Sequence, residues 1–302
     1  IKLMFPVDFV MQLENLYMCG NHGDPMMTPE AIDILRWLRN TNPKIRLAMN
    51  TNGGARPIKW WVDLAKTIDH VTFSVDGLED TNHLYRQGVN WNNVENNMAA
   101  FCDAGGHAKW EFLVFKHNEH QLEEAEFWAK SLGVAEFSVK KSGRYMSSAT
   151  LTKKDSHQAH DRHDVNTQLL EPPTMERFQN KATKQFDQVT AKFGSMENYI
   201  DVAEIEPKCI KKKEIYISAE GYVFPCCWTA GQMYKWWQKP GEAQIWEHIN
   251  KYNINAKEIP IEKIVNTFFN SIEEAWEVGP NRLKVCALKC NKQFDPFAAQ
   301  WQ

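Results

Sequence analysis

Short β-rich apolar runs alternate with longer amphipathic stretches along residues 5–145. Residues 15–19 predict a strand. Residues 28–40 predict a helix, with Thr28 as N-cap, Pro29 in the first turn and Glu30 behind it. A strand follows at 46–50, a helix at 58–67 and a strand at 70–75. The stretch 91–104 predicts a helix ended by Gly105-Gly106. A strand at 109–115, a helix at 120–132 stopped by Gly133, and a strand at 136–140 complete the series. Repeated strand–helix alternation predicts a parallel sheet, either open or closed into a barrel.

The pattern then changes. Residues 146–205 are polar, rich in Thr, Gln and Lys, and broken by Pro172-Pro173. His157, His160 and His163 fall here at a spacing that suits one side of a helix, but a solvated linker or helical insert is the favoured expectation over a metal site. From 206 to 302 a second, smaller domain is expected. Its clearest local signal is Ile215-Tyr216-Ile217, then Ser218-Ala219-Glu220-Gly221, then Tyr222-Val223-Phe224, which reads as strand, tight turn, strand.

That hairpin brings Cys226 back towards the end of the chain that carries Cys209. Cys286-x3-Cys290 lies about sixty residues on, and Cys227 directly follows Cys226. Four soft thiolates that a fold can gather at one point suit a tetrahedral metal or an iron–sulfur cluster. Structural zinc and a set of buried free cysteines are the alternatives on residue type alone.

Bulk properties narrow the field. The chain has 302 residues, enough for one or two domains with a large core. A net charge of −3 gives no case for nucleic acid as a partner. No apolar run reaches the length of a membrane span, and no signal peptide is evident. Seven cysteines, an odd number without the spacing of a small disulfide scaffold, fit a reducing cytoplasm. Trp60-Trp61 and Trp236-Trp237 suggest packing or partner-facing surface.

Ligands of parallel α/β folds gather at the C-terminal ends of strands. Four such ends here carry polar, Gly-rich loops. They are Gly20-Asn21-His22-Gly23-Asp24-Pro25, Asn50-Thr51-Asn52-Gly53-Gly54, Ser74-Val75-Asp76-Gly77 with Tyr85-Arg86-Gln87-Gly88 soon after, and Lys140-Lys141-Ser142-Gly143-Arg144. Each alone is ordinary turn composition. An open doubly wound nucleotide-binding enzyme is disfavoured, since no Gly-x-Gly-x-x-Gly follows a strand.

In this order the loops resemble those of the radical S-adenosylmethionine (SAM) enzymes, and the C-terminal half resembles their SPASM/twitch domains. Gly20 to Pro25 resembles the family's Gly-Gly-Glu-Pro loop, which binds the SAM amino group. Thr51-Asn52-Gly53 resembles the third-strand tip. Ser74-x-Asp76-Gly77 matches the fourth-strand motif, which in the family contacts the SAM carboxylate and ribose together with an arginine like Arg86. Cys209-x11-Gly221-x4-Cys226 with Cys286-x3-Cys290 fits the twitch pattern. The resemblance implies a partial parallel (β/α)6 TIM-like barrel over 1–145 and a small C-terminal α+β cluster-binding domain. It implies SAM and an auxiliary 4Fe–4S cluster as cofactors, and a 5′-deoxyadenosyl radical that abstracts hydrogen from a peptide, protein or small-molecule substrate. An electron donor such as flavodoxin or ferredoxin is implied as a partner.

Three departures qualify it. The family's Cys-x3-Cys-x2-Cys, which holds the catalytic 4Fe–4S cluster, has no counterpart, and residues 5–14 resemble the end of the helix that should follow it. A fragment, a pseudoenzyme and a site completed by a partner chain each account for that; on any of them the chain by itself is not expected to cleave SAM, and the strand at 15–19 is expected to form an exposed apolar edge. Asp24 replaces the usual Glu and retains the carboxylate. His22 replaces a Gly where the backbone approaches the cofactor. A non-catalytic scaffold with a structural four-cysteine metal site is the rival reading.

Overall fold

The computed structural model describes residues 1–147, 151–161, 165–235, 244–296 and 298–301. His163 and Trp236-Trp237 lie outside the described residues. The chain divides into two compact units, one of residues 7–145, 153–180 and 300–302, the other of residues 1–6, 146–152 and 181–299.

The first unit opens with α1 (Val7–Gln12), β1 (Asn15–Met18), α2 (Ala31–Thr41), β2 (Arg46–Thr51), α3 (Ile58–Ala65) and β3 (His70–Ser74). It continues through α4 (Asn82–Tyr85), α5 (Trp91–Asp103), β4 (Ala108–Val114), α6 (Leu122–Ser131) and β5 (Glu136–Lys141). Strands β1 to β5 pair in chain order and all in parallel. This is an α/β fold with the strands of a partial TIM-like barrel, five of the six expected. β1 is the end strand of the sheet, and none of its four residues is fully buried.

Strand alternation decides which side chains meet the helices. Phe73 of β3 packs against Trp61 of α3 and Phe101 of α5, at ring-centroid distances of 5.4 and 5.9 Å. Trp110 of β4 meets Phe137 of β5 on the same face, and its indole N–H donates to Val75 O at 2.8 Å. Trp61 is fully buried and donates to Ala55 O at 3.0 Å, so half of the Trp60-Trp61 doublet is core. Asn42, buried at the end of α2, donates to Val10 O and Leu13 O at 2.9 and 2.8 Å and thereby holds α1. Thr28 is not the cap of α2. It ends a 3-10 turn over Pro25–Met27, which Asp24 caps instead.

Residues 153–180 belong to this unit and are more ordered than a solvated linker. They contain a hairpin of β6 (His157–His160) and β7 (Asn166–Leu170). Ala159 and Leu170 pack with Leu113, Phe115 and Tyr145, so alternate apolar residues suffice to seat a polar-looking segment. His157 and His160 are therefore at the two ends of a strand, not on a helix.

The second unit contains α7 (Ala182–Phe193), α8 (Met196–Val202), α9 (Lys208–Lys212), a short hairpin of β8 (Tyr216–Ile217) and β9 (Val223–Phe224), and α10 (Cys227–Lys235). After it come α11 (Ile245–Ile249), α12 (Ile261–Ile264), which runs through a π-turn into α13 (Asn270–Glu274), and α14 (Lys284–Lys289). Val189, Met196, Tyr199 and Ile200 of α7 and α8 close on Ala287 and Leu288 of α14. Among the described residues no helix is long and apolar enough to cross a membrane.

Trp61→Ala is expected to lower the free energy of unfolding by about 3–5 kcal/mol, the cost of an emptied aromatic site. Phe127→Ala, at a side chain 69% exposed, is expected to change it by less than about 0.5 kcal/mol. Urea unfolding followed by circular dichroism measures both.

Candidate functional site

The four polar loops all leave the C-terminal ends of parallel strands, so they share one rim of the first unit. In the first loop, Gly20 and Gly23 have φ of +67° and +139°. A Cβ at Gly20 would stand 3.3 Å from Pro25 Cδ and 3.4 Å from Asn50 O, so the turn requires glycine twice over. His22 has no positive φ, and the position where Gly is usual tolerates a side chain on the exposed surface. Asn21 is exposed beside it.

Asp24 ties this loop to the next. Its Oδ2 accepts from Asn52 N at 2.7 Å and from Thr51 Oγ1 at 3.1 Å, while Oδ1 accepts from Met26 N at 3.1 Å. Asn52 Oδ1 in turn accepts from Gly54 N at 2.9 Å, and Asn97 Nδ2 holds Gly53 O at 2.8 Å. Asn50 Oδ1 is buried and has no hydrogen-bond partner. A buried acceptor left open at a strand end is a place for a polar ligand.

Asp76 organises the third loop. It is 1% exposed, and a carboxylate that deep must be fully satisfied. Leu113 N donates to Oδ1 at 2.7 Å and Arg86 Nε donates to Oδ2 at 2.5 Å. The backbone of Asp76 is held as well, by Asn82 Oδ1 and Asn118 Nδ2. Burial works against the charge on Arg86, but the carboxylate of Asp76, with lesser help from Tyr85 and Asp24, raises its pKa. Ser74 is partly buried at the end of β3. Gly20, Asn21, His22, Gly23, Asp24, Pro25, Thr51, Asn52, Ser74, Asp76 and Arg86 thus all belong to one rim.

A second layer of this rim escaped sequence reading. The Tyr85 ring packs on buried Phe115 at 4.9 Å and faces His157 at 6.5 Å. Arg86 Cζ and Arg144 Cζ each lie 5.0 Å from its centroid. Burial, followed by the charges of Arg144, Lys154 and His160, pushes the pKa of His157 down to about 4. The only available hint was the apolar alternation in 157–170, too weak beside the polar composition.

The cysteines of the second unit come from three separated stretches. Cys209 lies in α9, Cys226 immediately precedes α10, and Cys286 and Cys290 are one turn apart at α14, joined by a Cys290 N to Cys286 O bond of 2.9 Å. All four line one cleft, and Cys227 does not line it. Gly221 makes the return possible. Its φ is +99°, and a Cβ there would come within 2.8 Å of Asn255 Oδ1. Cys226 stands at a helix start, with its carbonyl accepting from Thr229 Oγ1 at 2.8 Å and from Ala230 N. The turn into the helix, not strand alternation, separates it from Cys227.

Burial, then the neighbouring Cys226, pushes the Cys209 thiol up to about 11, and burial raises Cys286 and Cys290 too. Trp276 lines the same cleft with its indole Nε1 buried, and its N–H favours the Cys286 thiolate against the burial that raises that group. Yet among the described residues no three His, Cys, Asp or Glu side chains stand close enough to hold a single metal ion. Four thiols around one cleft are soft donors of the kind that hold a zinc ion or an iron–sulfur cluster.

The fold has counterparts among solved structures. The Streptococcus suis protein SuiB, with S-adenosylmethionine bound, superposes with a TM-score of 0.51 at 15% identity, over 95% of this chain and 66% of that one. The chain therefore spans just under two thirds of SuiB. A His-tagged anSMEcpe with bound AdoMet (SAM) gives 0.51 at 12% identity, over 99% and 81%. A native anSMEcpe with AdoMet and the Cp18Cys peptide gives 0.50 at 11%, over 99% and 85%. At these identities the likeness establishes the fold. No protein-family model matches the chain. No curated protein matches it either.

His157 yields a pH prediction. Its folded pKa is depressed, so the neutral ring contributes stability that is fully present above the unfolded value near 6.5 and is lost as pH falls towards about 4. The groups facing it are Tyr85, Arg144, Lys154 and His160. Melting temperature is expected to drop across that window, and His157→Gln is expected to flatten the drop. An unchanged acid profile in the variant would refute the assignment.

Proposed function

We propose that the chain is a radical SAM protein that holds SAM at the rim of its partial barrel and an auxiliary 4Fe–4S cluster in its second unit. The convergence of Cys209, Cys226, Cys286 and Cys290 on one cleft carries this reading, because it gathers four soft donors at one place. The twitch-like spacing Cys209-x11-Gly221-x4-Cys226 with Cys286-x3-Cys290 favours a cluster over structural zinc.

The residues of the rim have separable tasks. The Gly20–Pro25 loop brings its backbone to the amino group of SAM. Asp24 fixes the two neighbouring loops against each other through Thr51 and Asn52. Asn50 Oδ1 supplies an open acceptor. Arg86, with its Nε held by Asp76, offers its remaining N–H groups to the SAM carboxylate. Hydrogen-atom abstraction would follow only when bound SAM is reduced by one electron from a catalytic 4Fe–4S cluster, for which this sequence has no Cys-x3-Cys-x2-Cys. A peptide substrate is favoured by the bound states of the structural neighbours, SuiB with the precursor peptide SuiA and anSMEcpe with Cp18Cys.

Anaerobic reconstitution followed by iron and sulfide counting tests the cluster. Four irons with sulfide are expected per four-cysteine site, Cys226→Ala should abolish them, and Cys227→Ala should leave most. One zinc per chain and no sulfide would overturn this reading in favour of a structural metal site.

Equilibrium binding tests the rim. Asp24→Ala is expected to weaken SAM at least about tenfold, the loss of a charge-assisted network. An unchanged affinity would sink the assignment of this loop.

A further inference from the structure

Two guanidinium groups share one aromatic ring. Arg86 and Arg144 each approach Tyr85 to 5.0 Å and so lie within twice that distance of each other. Like charges this close need counter-charge. Arg86 has it in Asp76. Arg144 forms no ion pair among the described residues, and its backbone N–H is the part held, by buried Ser142 Oγ at 3.3 Å. Lys154 adds a second positive charge nearby, and His157 is kept neutral between them.

The position of Arg144 is therefore set by packing rather than by an anion. It rests on a ring that is itself wedged against Phe115, a fully buried side chain. Little conformational freedom remains to be lost when an anion arrives, and the planar fork of the guanidinium matches a carboxylate with two parallel hydrogen bonds. SAM brings a single carboxylate, for which Arg86 is the nearer group in the reading above.

We propose that Arg144, seated on Tyr85 beside the Asp76–Arg86 pair, recognises a carboxylate of the substrate. The substrate then presents an acidic side chain or a free C-terminus at this rim. The proposal rests on the assignment of the rim to SAM.

Binding of N-acetyl-L-glutamate, which carries a side-chain and an α-carboxylate, and of N-acetyl-L-glutaminamide, which carries neither, to the full chain tests it, with SAM affinity measured in parallel. The native chain is expected to prefer the glutamate probe by at least about tenfold, the difference between a charge-assisted and a neutral pair. Arg144→Gln should bring the two probes to parity, Arg144→Lys should keep part of the preference, and both should leave SAM affinity within about twofold. Thermal melts establish that the variants fold.

Equal binding of the two probes to the native chain, or a preference that survives Arg144→Gln, overturns the proposal. So does a loss of SAM affinity in that variant as large as the loss of the glutamate probe, which would make the carboxylate that of SAM. Failure of the native chain to bind SAM counts against the assignment of the rim, while the contrast between the two probes decides the role of Arg144 by itself.

Discussion

Parallel pairing is the constraint on which the first unit depends. Because β1 to β5 run the same way in chain order, every strand ends at the same edge. Every loop that leaves a strand is thereby delivered to one rim, whatever its sequence. The polar residues can be short, since the backbone has already brought them together. Asp24 reaches Thr51 and Asn52 across 27 and 28 residues of chain through direct hydrogen bonds. An antiparallel sheet of the same composition would send alternate loops to opposite ends and scatter the same side chains.

Placing charge at such an edge carries a desolvation cost, and Asp76 is where it is greatest. A carboxylate 1% exposed is tolerable because three elements serve it: β4 through Leu113 N, the turn after α4 through Arg86, and the backbone bracket of Asn82 and Asn118. These partners fix the loop to the sheet as firmly as packing does. The thiols of the second unit are served less well. Burial raises the thiols of Cys209, Cys286 and Cys290, with the Trp276 N–H working the other way at Cys286.

How much of this the sequence discloses depends on the range of the interaction. The five strands and most of the helices are legible because hydrophobic period is local. The Ser218–Gly221 turn is legible because glycine there answers a steric demand that a tetrapeptide already contains. Thr28 misleads because capping is decided by which side chain reaches the free N–H groups, and Asp24 does so for a preceding 3-10 turn that the sequence does not announce. The hairpin of β6 and β7 is hidden for a different reason. Its stability comes from Ala159 and Leu170 meeting Leu113 and Phe115, partners remote in sequence, so its own polar composition reads as linker.

The pair Cys226-Cys227 shows how two adjacent cysteines part at a helix start. On a strand, adjacent side chains point to opposite faces, and one of the two would be excluded on that ground alone. At a helix start they diverge by the angle between neighbouring helical positions, which is smaller. What distinguishes them is the capping arrangement: Thr229 and Ala230 both donate to the Cys226 carbonyl, fixing residue 226 as the last before the helix. The sulfur of Cys226 then faces the cleft from outside the helix, while Cys227 is the first residue of the helix proper. Which of two chemically identical neighbours lines the cleft is thus set by where the helix begins.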